Sequence, residues 1–190
     1  MKTRLVKDFL PRILSHIDGI DKDMVASYVV DASIQFLRDT NLLTEIVCID
    51  LDDCINSYKI HTDYRINDIK SVRFFVNNER VATEKFDYYI QDDVIYIAPV
   101  FDGIKVEIEV GVLPYRDSEE LPEFLYEEWV EPIVELTLAR LFLLKDNEWY
   151  NQSLAQTHLA LYEQFVRQAR FSKITKHKPF TMRLLNKRRY

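Results

Sequence analysis

The chain has 190 residues, 47% of them hydrophobic and 29% charged, with a net charge of −6. That balance belongs to a globular chain able to bury a core of its own, and it excludes a disordered one. Only 3 residues are glycine, where average usage predicts about 13, which argues against glycine-rich phosphate cradles and dinucleotide folds.

Aromatic residues are abundant, with 11 Tyr, 11 Phe and 2 Trp, as suits a filled core or adhesive interfaces. Cys48 and Cys54 flank an Asp-rich stretch and read as free thiols in a reducing compartment. No apolar run approaches the roughly 18 residues that a membrane span needs. At the N-terminus Lys7, Asp8 and Arg12 interrupt any signal-peptide core, so the expected site of folding is the cytoplasm.

Charge is unevenly spread. Nine basic residues and no acidic ones lie between Arg167 and Tyr190, which leaves 16 basic against 31 acidic residues in the rest, a net of −15. An acidic body with a basic tail points to a separate partner for the tail.

In chain order, Leu5, Phe9, Ile13 and Leu14 have helical spacing over residues 4–15, with Pro11 weakening the middle. Asp18 and Gly19 form a turn, and Asp21 caps a second helix running to about Asp39. Its wide apolar stripe, including Val25, Val29, Ala32 and Phe36, predicts packing on more than one neighbour.

From residue 44 the period changes to short β-branched and aromatic runs at 45–51, 56–60, 69–76, 80–83, 88–91, 94–98 and 105–113. Asn77-Asn78 and Asp92-Asp93 supply left-handed hairpin turns. In the last run Val106, Ile108 and Val110 alternate with Lys105, Glu107 and Glu109, the pattern of a half-exposed antiparallel strand.

Helical spacing returns at Leu121, with Pro122 and Glu123 in a first turn, and runs to about Lys145 with a bend at Pro132. The stretch 133–144 is apolar on nearly every face and predicts burial in a core or between subunits, with Ile133, Leu138, Leu141, Phe142 and Trp149 as candidate subunit contacts. Asn151 caps a last helix to about Arg170. The expected fold is therefore α+β: a bundle of about four helices (1–43 and 114–170), an inserted small antiparallel β domain (44–113) and an extended basic tail (171–190).

The chemistry is sparse. His16, His61, His158 and His177 lack metal-site spacing, and no nucleophile elbow or phosphate loop occurs. Asp50, Asp52 and Asp53 resemble a calcium loop, but Cys54 and Ile55 stand where an oxygen ligand and a glycine are required. The glutamates from Glu119 to Glu135 read as a solvated acidic face. No catalytic residue, metal or cofactor is assigned, and the chain is read as a structural protein. The tail offers basic residues Lys173, Lys176, Arg183, Arg188 and Arg189 for attraction. It offers Phe171, Phe180, Met182, Leu184, Leu185 and Tyr190 as contacts.

The order of pieces resembles a head–tail adaptor (connector) protein of tailed bacteriophages. The resemblance rests on a leading helix, then one carrying Val30-Asp31-Ala32-Ser33-Ile34-Gln35-Phe36-Leu37-Arg38-Asp39-Thr40, then a β insertion ending near Val112-Leu113-Pro114. Leu121-Pro122-Glu123 opens a long helix, and Glu148-Trp149-Tyr150-Asn151 precedes the last one. It spans about residues 3–170. The corner between the first two helices departs from the family, with Asp18-Gly19-Ile20-Asp21 in place of a Pro/Cys-rich turn.

The resemblance implies a virion neck protein assembled in the host cytoplasm. It implies a homo-oligomeric ring, typically dodecameric, beneath the portal protein, with the C-terminal tail docked on the portal. Tail or nozzle proteins would join its lower face. Genomic DNA would pass through the channel without sequence-specific contacts, and no membrane is involved. The rival readings are a DNA-binding accessory protein that uses the basic tail and, behind it, a small hydrolase.

Overall fold

A computed structural model describes residues 2–52, 55–77, 79–98, 103–145 and 147–176. It corrects the expected fold class: the protein is mixed α/β, with five α-helices and three antiparallel sheets, and is more sheet-rich than a four-helix bundle.

The first element is not one helix. Strand β1 (Thr3–Leu5) is followed by a 3-10 turn (Val6–Phe9) and the short helix α1 (Leu10–Leu14). Pro11 falls in the first turn of α1, where a missing N–H costs nothing. Helix α2 (Lys22–Thr40) begins as the sequence predicts, with the Asp21 carboxylate accepting the Asp23 N–H at 3.0 Å. It ends where Asn41 turns left-handed (φ 53°) and donates its N–H to Leu37 O at 2.7 Å.

All seven expected β runs form strands: β2 (Thr44–Asp50), β3 (Ser57–Lys59), β4 (Arg65–Val76), β5 (Glu79–Val81), β6 (Asp87–Gln91), β7 (Val94–Ala98) and β8 (Ile104–Leu113). One sheet has the order β2-β8-β4-β5 and a second has β3-β7-β6. Val106, Ile108 and Val110 of β8 are fully buried, as their alternation requires. Asp92 and Asp93 have φ of 48° and 61° and close the β6–β7 hairpin. Phe74 stacks on Phe86, just before β6, at 4.2 Å and meets Tyr88 of β6 at 5.6 Å, which joins the second sheet to the first.

Gly111 marks a close approach. β4 changes register against β8 on both sides of Asp68, and a Cβ at Gly111 would collide with the Asp68 carboxylate. Lys70 pairs with that carboxylate and donates to Asn41 Oδ1 at 2.8 Å, so the bulge is tied to the C-terminal cap of α2.

The expected long helix over 121–145 is broken differently. Glu120–Pro122 forms strand β9, which pairs with β1, so this two-stranded sheet lies outside the 44–113 segment. Helix α3 (Glu123–Glu127) is short, and the break falls at Glu128 and Trp129. Pro132 does not bend the next helix, α4 (Val130–Leu141). It sits in the first turn, where its N–H has no intrahelical acceptor to lose. The last helix, α5 (Gln152–Lys176), starts at Asn151 as expected, with Asn151 Oδ1 accepting the Leu154 N–H at 3.0 Å. It continues six residues beyond Arg170, so positions 171–176 are helical rather than extended. Helices and sheets share one buried cluster, from Phe9, Phe36 and Ile133 to Phe74, Ile95 and Ile108.

Candidate interaction surface

Helix α5 is about 37 Å long at 1.5 Å per residue, and it is the longest element. Its sequence is amphipathic at the helical period. Ala155, Tyr162, Val166 and Ala169 are buried against the body. The apolar stripe is wider than that contact. Leu154, Leu159 and Leu161 are 43%, 42% and 39% exposed, and Phe171 is 68% exposed.

Asp39, at the end of α2, fixes α5 in place. The Tyr162 hydroxyl donates to Asp39 Oδ2 at 2.6 Å, and Gln35 Nε2 donates to Oδ1 at 2.9 Å. Arg170 Nε donates to the Asp39 main-chain carbonyl at 2.6 Å. Burial, then the hydrogen bond to Asp39, pushes the Tyr162 hydroxyl far above its ordinary value. That shift reflects a phenol held neutral as a donor to a carboxylate.

Between α4 and α5 lies an apolar groove of about 370 Å³, lined by Leu136, Ala139, Leu143, Ala155 and Leu159, with Arg140 at its side. Leu143 is 51% exposed there. Also between α4 and α5, His158 Nδ1 lies 2.6 Å from Glu135 Oε2, and its ring stacks on Phe142 at 5.5 Å. His16 meets the same ring edge-on at 6.3 Å. The sequence reading did not bring His16 and His158 together, and no local signal spans the 142 positions between them. Among the described residues, no group of three His, Cys, Asp or Glu side chains is placed to hold a metal ion.

The expected subunit contacts are placed otherwise. Ile133, Leu138 and Leu141 are fully buried inside the protomer and Phe142 nearly so, while Trp149 is half-buried against the core. The all-round apolar character of residues 133–144 is consumed by α2 and α5 on two sides. Around α4 and α5, exposed apolar area lies instead on Leu143, Tyr150 and the flanks of α5.

Of the expected tail contacts, Phe171 is exposed on α5, and Lys173 and Lys176 fall in its last two turns. Phe180, Met182, Arg183, Leu184, Leu185, Arg188, Arg189 and Tyr190 lie outside the described residues. In the acidic turn after β2, the Asp52 N–H donates to the Tyr58 hydroxyl at 2.6 Å, which pins the turn from within. Among the described residues, no helix is long and apolar enough to cross a membrane. No protein-family model matches the chain, and none of the curated proteins matches it.

Proposed function

We propose that the protein is a head–tail adaptor of a tailed bacteriophage. In this reading it forms a ring beneath the portal, its C-terminal segment docks on the portal, and its opposite face joins tail components. DNA passes through the channel without sequence-specific contacts. The observation that carries the reading is α5. This 25-residue helix is pinned to the body through Asp39 and runs on into the basic stretch, with apolar side chains exposed along its flanks.

The chemistry of each part suits that role. The acidic body repels DNA and suits a channel wall. The exposed flanks of α5, with Leu143, Leu154, Leu159 and Leu161, supply apolar area for ring neighbours. The basic residues orient the tail toward an acidic surface, and Phe180, Leu184 and Leu185 supply anchors.

The test is native mass measurement with a candidate portal ring. The full chain is expected to load onto the portal, and a chain ending at Lys176 is expected not to. Phe180→Ala with Leu185→Ala should lose nearly as much, and Lys187→Ala should mainly slow association. Equal loading of the shortened chain at physiological salt would defeat the docking role. Steeply salt-dependent DNA binding carried by the tail would favour a DNA-binding accessory protein instead.

A further inference from the structure

Strand β2 forms one outer edge of the four-stranded sheet, and its free side can be read residue by residue. Leu51 donates its N–H to Ile104 O at 2.9 Å, and Leu43 O accepts the Val112 N–H at 3.2 Å. Between these points β2 and β8 pair one to one, with no bulge. Bonded residues alternate in an antiparallel ladder. Glu45, Val47 and Ile49 therefore bond to β8. Thr44, Ile46, Cys48 and Asp50 turn their main-chain N–H and C=O groups outward. No described strand pairs with that side. The strand carries no Lys, Pro or bulge to block pairing, and Ile46 is 59% exposed.

Three observations bear on what could cover this edge. The first is charge. Glu45, Asp50 and Asp52 lie along or just beyond β2, and Glu107 of β8 sits opposite Cys48. Burial, then Asp63, pushes the Glu45 carboxyl upward against an opposing pull from the N-terminal ammonium, and Glu45 and Asp63 in turn push up the Tyr64 hydroxyl after burial; Lys105, opposite Asp50, offsets one of the acids. A basic strand would relieve this crowding of like charge.

The second is position. Arg170 bonds Asp39, which stands five residues before Thr44 and is joined to it by at most about 18 Å of chain. The described chain ends at Lys176, about 9 Å further along α5. The 14 residues from 177 to 190 can span about 46 Å, enough to reach the head of β2. The third is pattern. Phe180, Met182 and Leu184 alternate with Thr181 and Arg183 over five residues, the period of a short strand, before Leu185 breaks it.

We propose that the open edge of β2 is a docking site for the chain's own C-terminal segment, residues 177–190, which adds a strand to the sheet in the free protein. The segment that docks on a partner is then parked on its own body beforehand. This inference concerns the protein alone and stands or falls separately from portal binding.

Amide hydrogen exchange on the full chain, resolved by NMR, tests it. The Ile46 and Cys48 amides are expected to exchange at least about tenfold more slowly than free amides, at a level independent of protein concentration. Phe180→Glu with Leu184→Glu, again in the full chain, should release Ile46 and Cys48 with the other outward-facing amides of β2. Val47 and Ile49, bonded to β8, should stay protected and so report an intact sheet. Free exchange at Ile46 and Cys48 in the wild type overturns the proposal, as does protection that survives the double substitution. Protection that rises with concentration also overturns it, because the edge is then filled by a second copy.

Discussion

The two outer strands of the four-stranded sheet are built in opposite ways. β5 has three residues, two of them charged, and gives way at once to a 3-10 turn at Thr83–Lys85. Phe86 then stacks on Phe74 and holds the chain against the sheet. Little edge remains for another chain to copy. β2 has seven residues with Glu45 and Asp50 but no Lys, Pro or bulge, and its outward backbone groups run from Thr44 to Asp50. Short edges protect themselves, whereas a long regular edge stays safe only when something occupies it. The contrast separates a strand that ends the sheet from one that invites continuation.

The sharpest way to break both edges at once is through the strand they share. β8 pairs directly with β2 and reaches β5 through β4. Gly111→Val would drive a branched side chain into the Asp68 carboxylate and the Lys70 side chain. We expect a loss of about 1–3 kcal/mol in urea unfolding, from overpacking against the Asp68 and Lys70 side chains. A loss under about 1 kcal/mol would mean that the bulge relaxes and that the two edges are less coupled than the register implies.

Much of this architecture was legible in the residues and some was not, for physical reasons. Strands were readable because β-branched runs alternate at period two, as in Val106, Ile108 and Val110. Helix α2 was readable because Asp21 caps it and an apolar stripe follows. Pairing of Thr3–Leu5 with Glu120–Pro122 was not readable, because three-residue strands carry no period. Pro132 misled because a proline that bends a helix interior and one that fits a first turn look alike until the helix start is known. The candidate interface was misjudged at Ile133, Leu138 and Leu141, since apolar periodicity does not distinguish a core from a subunit contact. The exposed flanks of α5 carry no period of their own beyond that of its buried face.

A second effect, no larger, concerns how α5 is delivered to the head of β2. Asp39→Ala removes the acceptor of Tyr162 and Gln35, and should cost about 1–3 kcal/mol by leaving a buried hydroxyl unpaired. Tyr162 also gives the junction a pH signature. Its hydroxyl is raised in the folded state, so the stabilisation is fully present below the unfolded tyrosine value near 10 and is lost as pH rises above it. Thermal melts of the wild type should therefore fall more steeply above pH 10 than those of Tyr162→Phe. Parallel curves would show that the phenol gains nothing from Asp39.

The smallest effect is local to the open edge and has a definite sign. The Glu45 carboxyl is raised by burial first and by Asp63 second, so the folded protein favours its protonated form. A raised folded value adds stability that is present below the unfolded carboxyl value near 4.3 and is lost as pH climbs through the folded one. At neutral pH the ionised Glu45 is thus a small liability. On an edge left to solvent, Glu45→Gln would raise the unfolding free energy at pH 7 by up to about 0.5 kcal/mol, because the group is largely solvated; with the basic C-terminal segment docked on β2, as proposed, it is expected to lower it. That gain would shrink as pH falls toward and below the unfolded carboxyl value. Added salt should shrink it too, since the Asp63 part is screened. A variant that is less stable than wild type at pH 7 would mean that Glu45 already has a cationic partner on the β2 edge. That is the outcome to expect where a basic segment occupies the strand, so the sign of this shift separates an edge left to solvent from one that is covered.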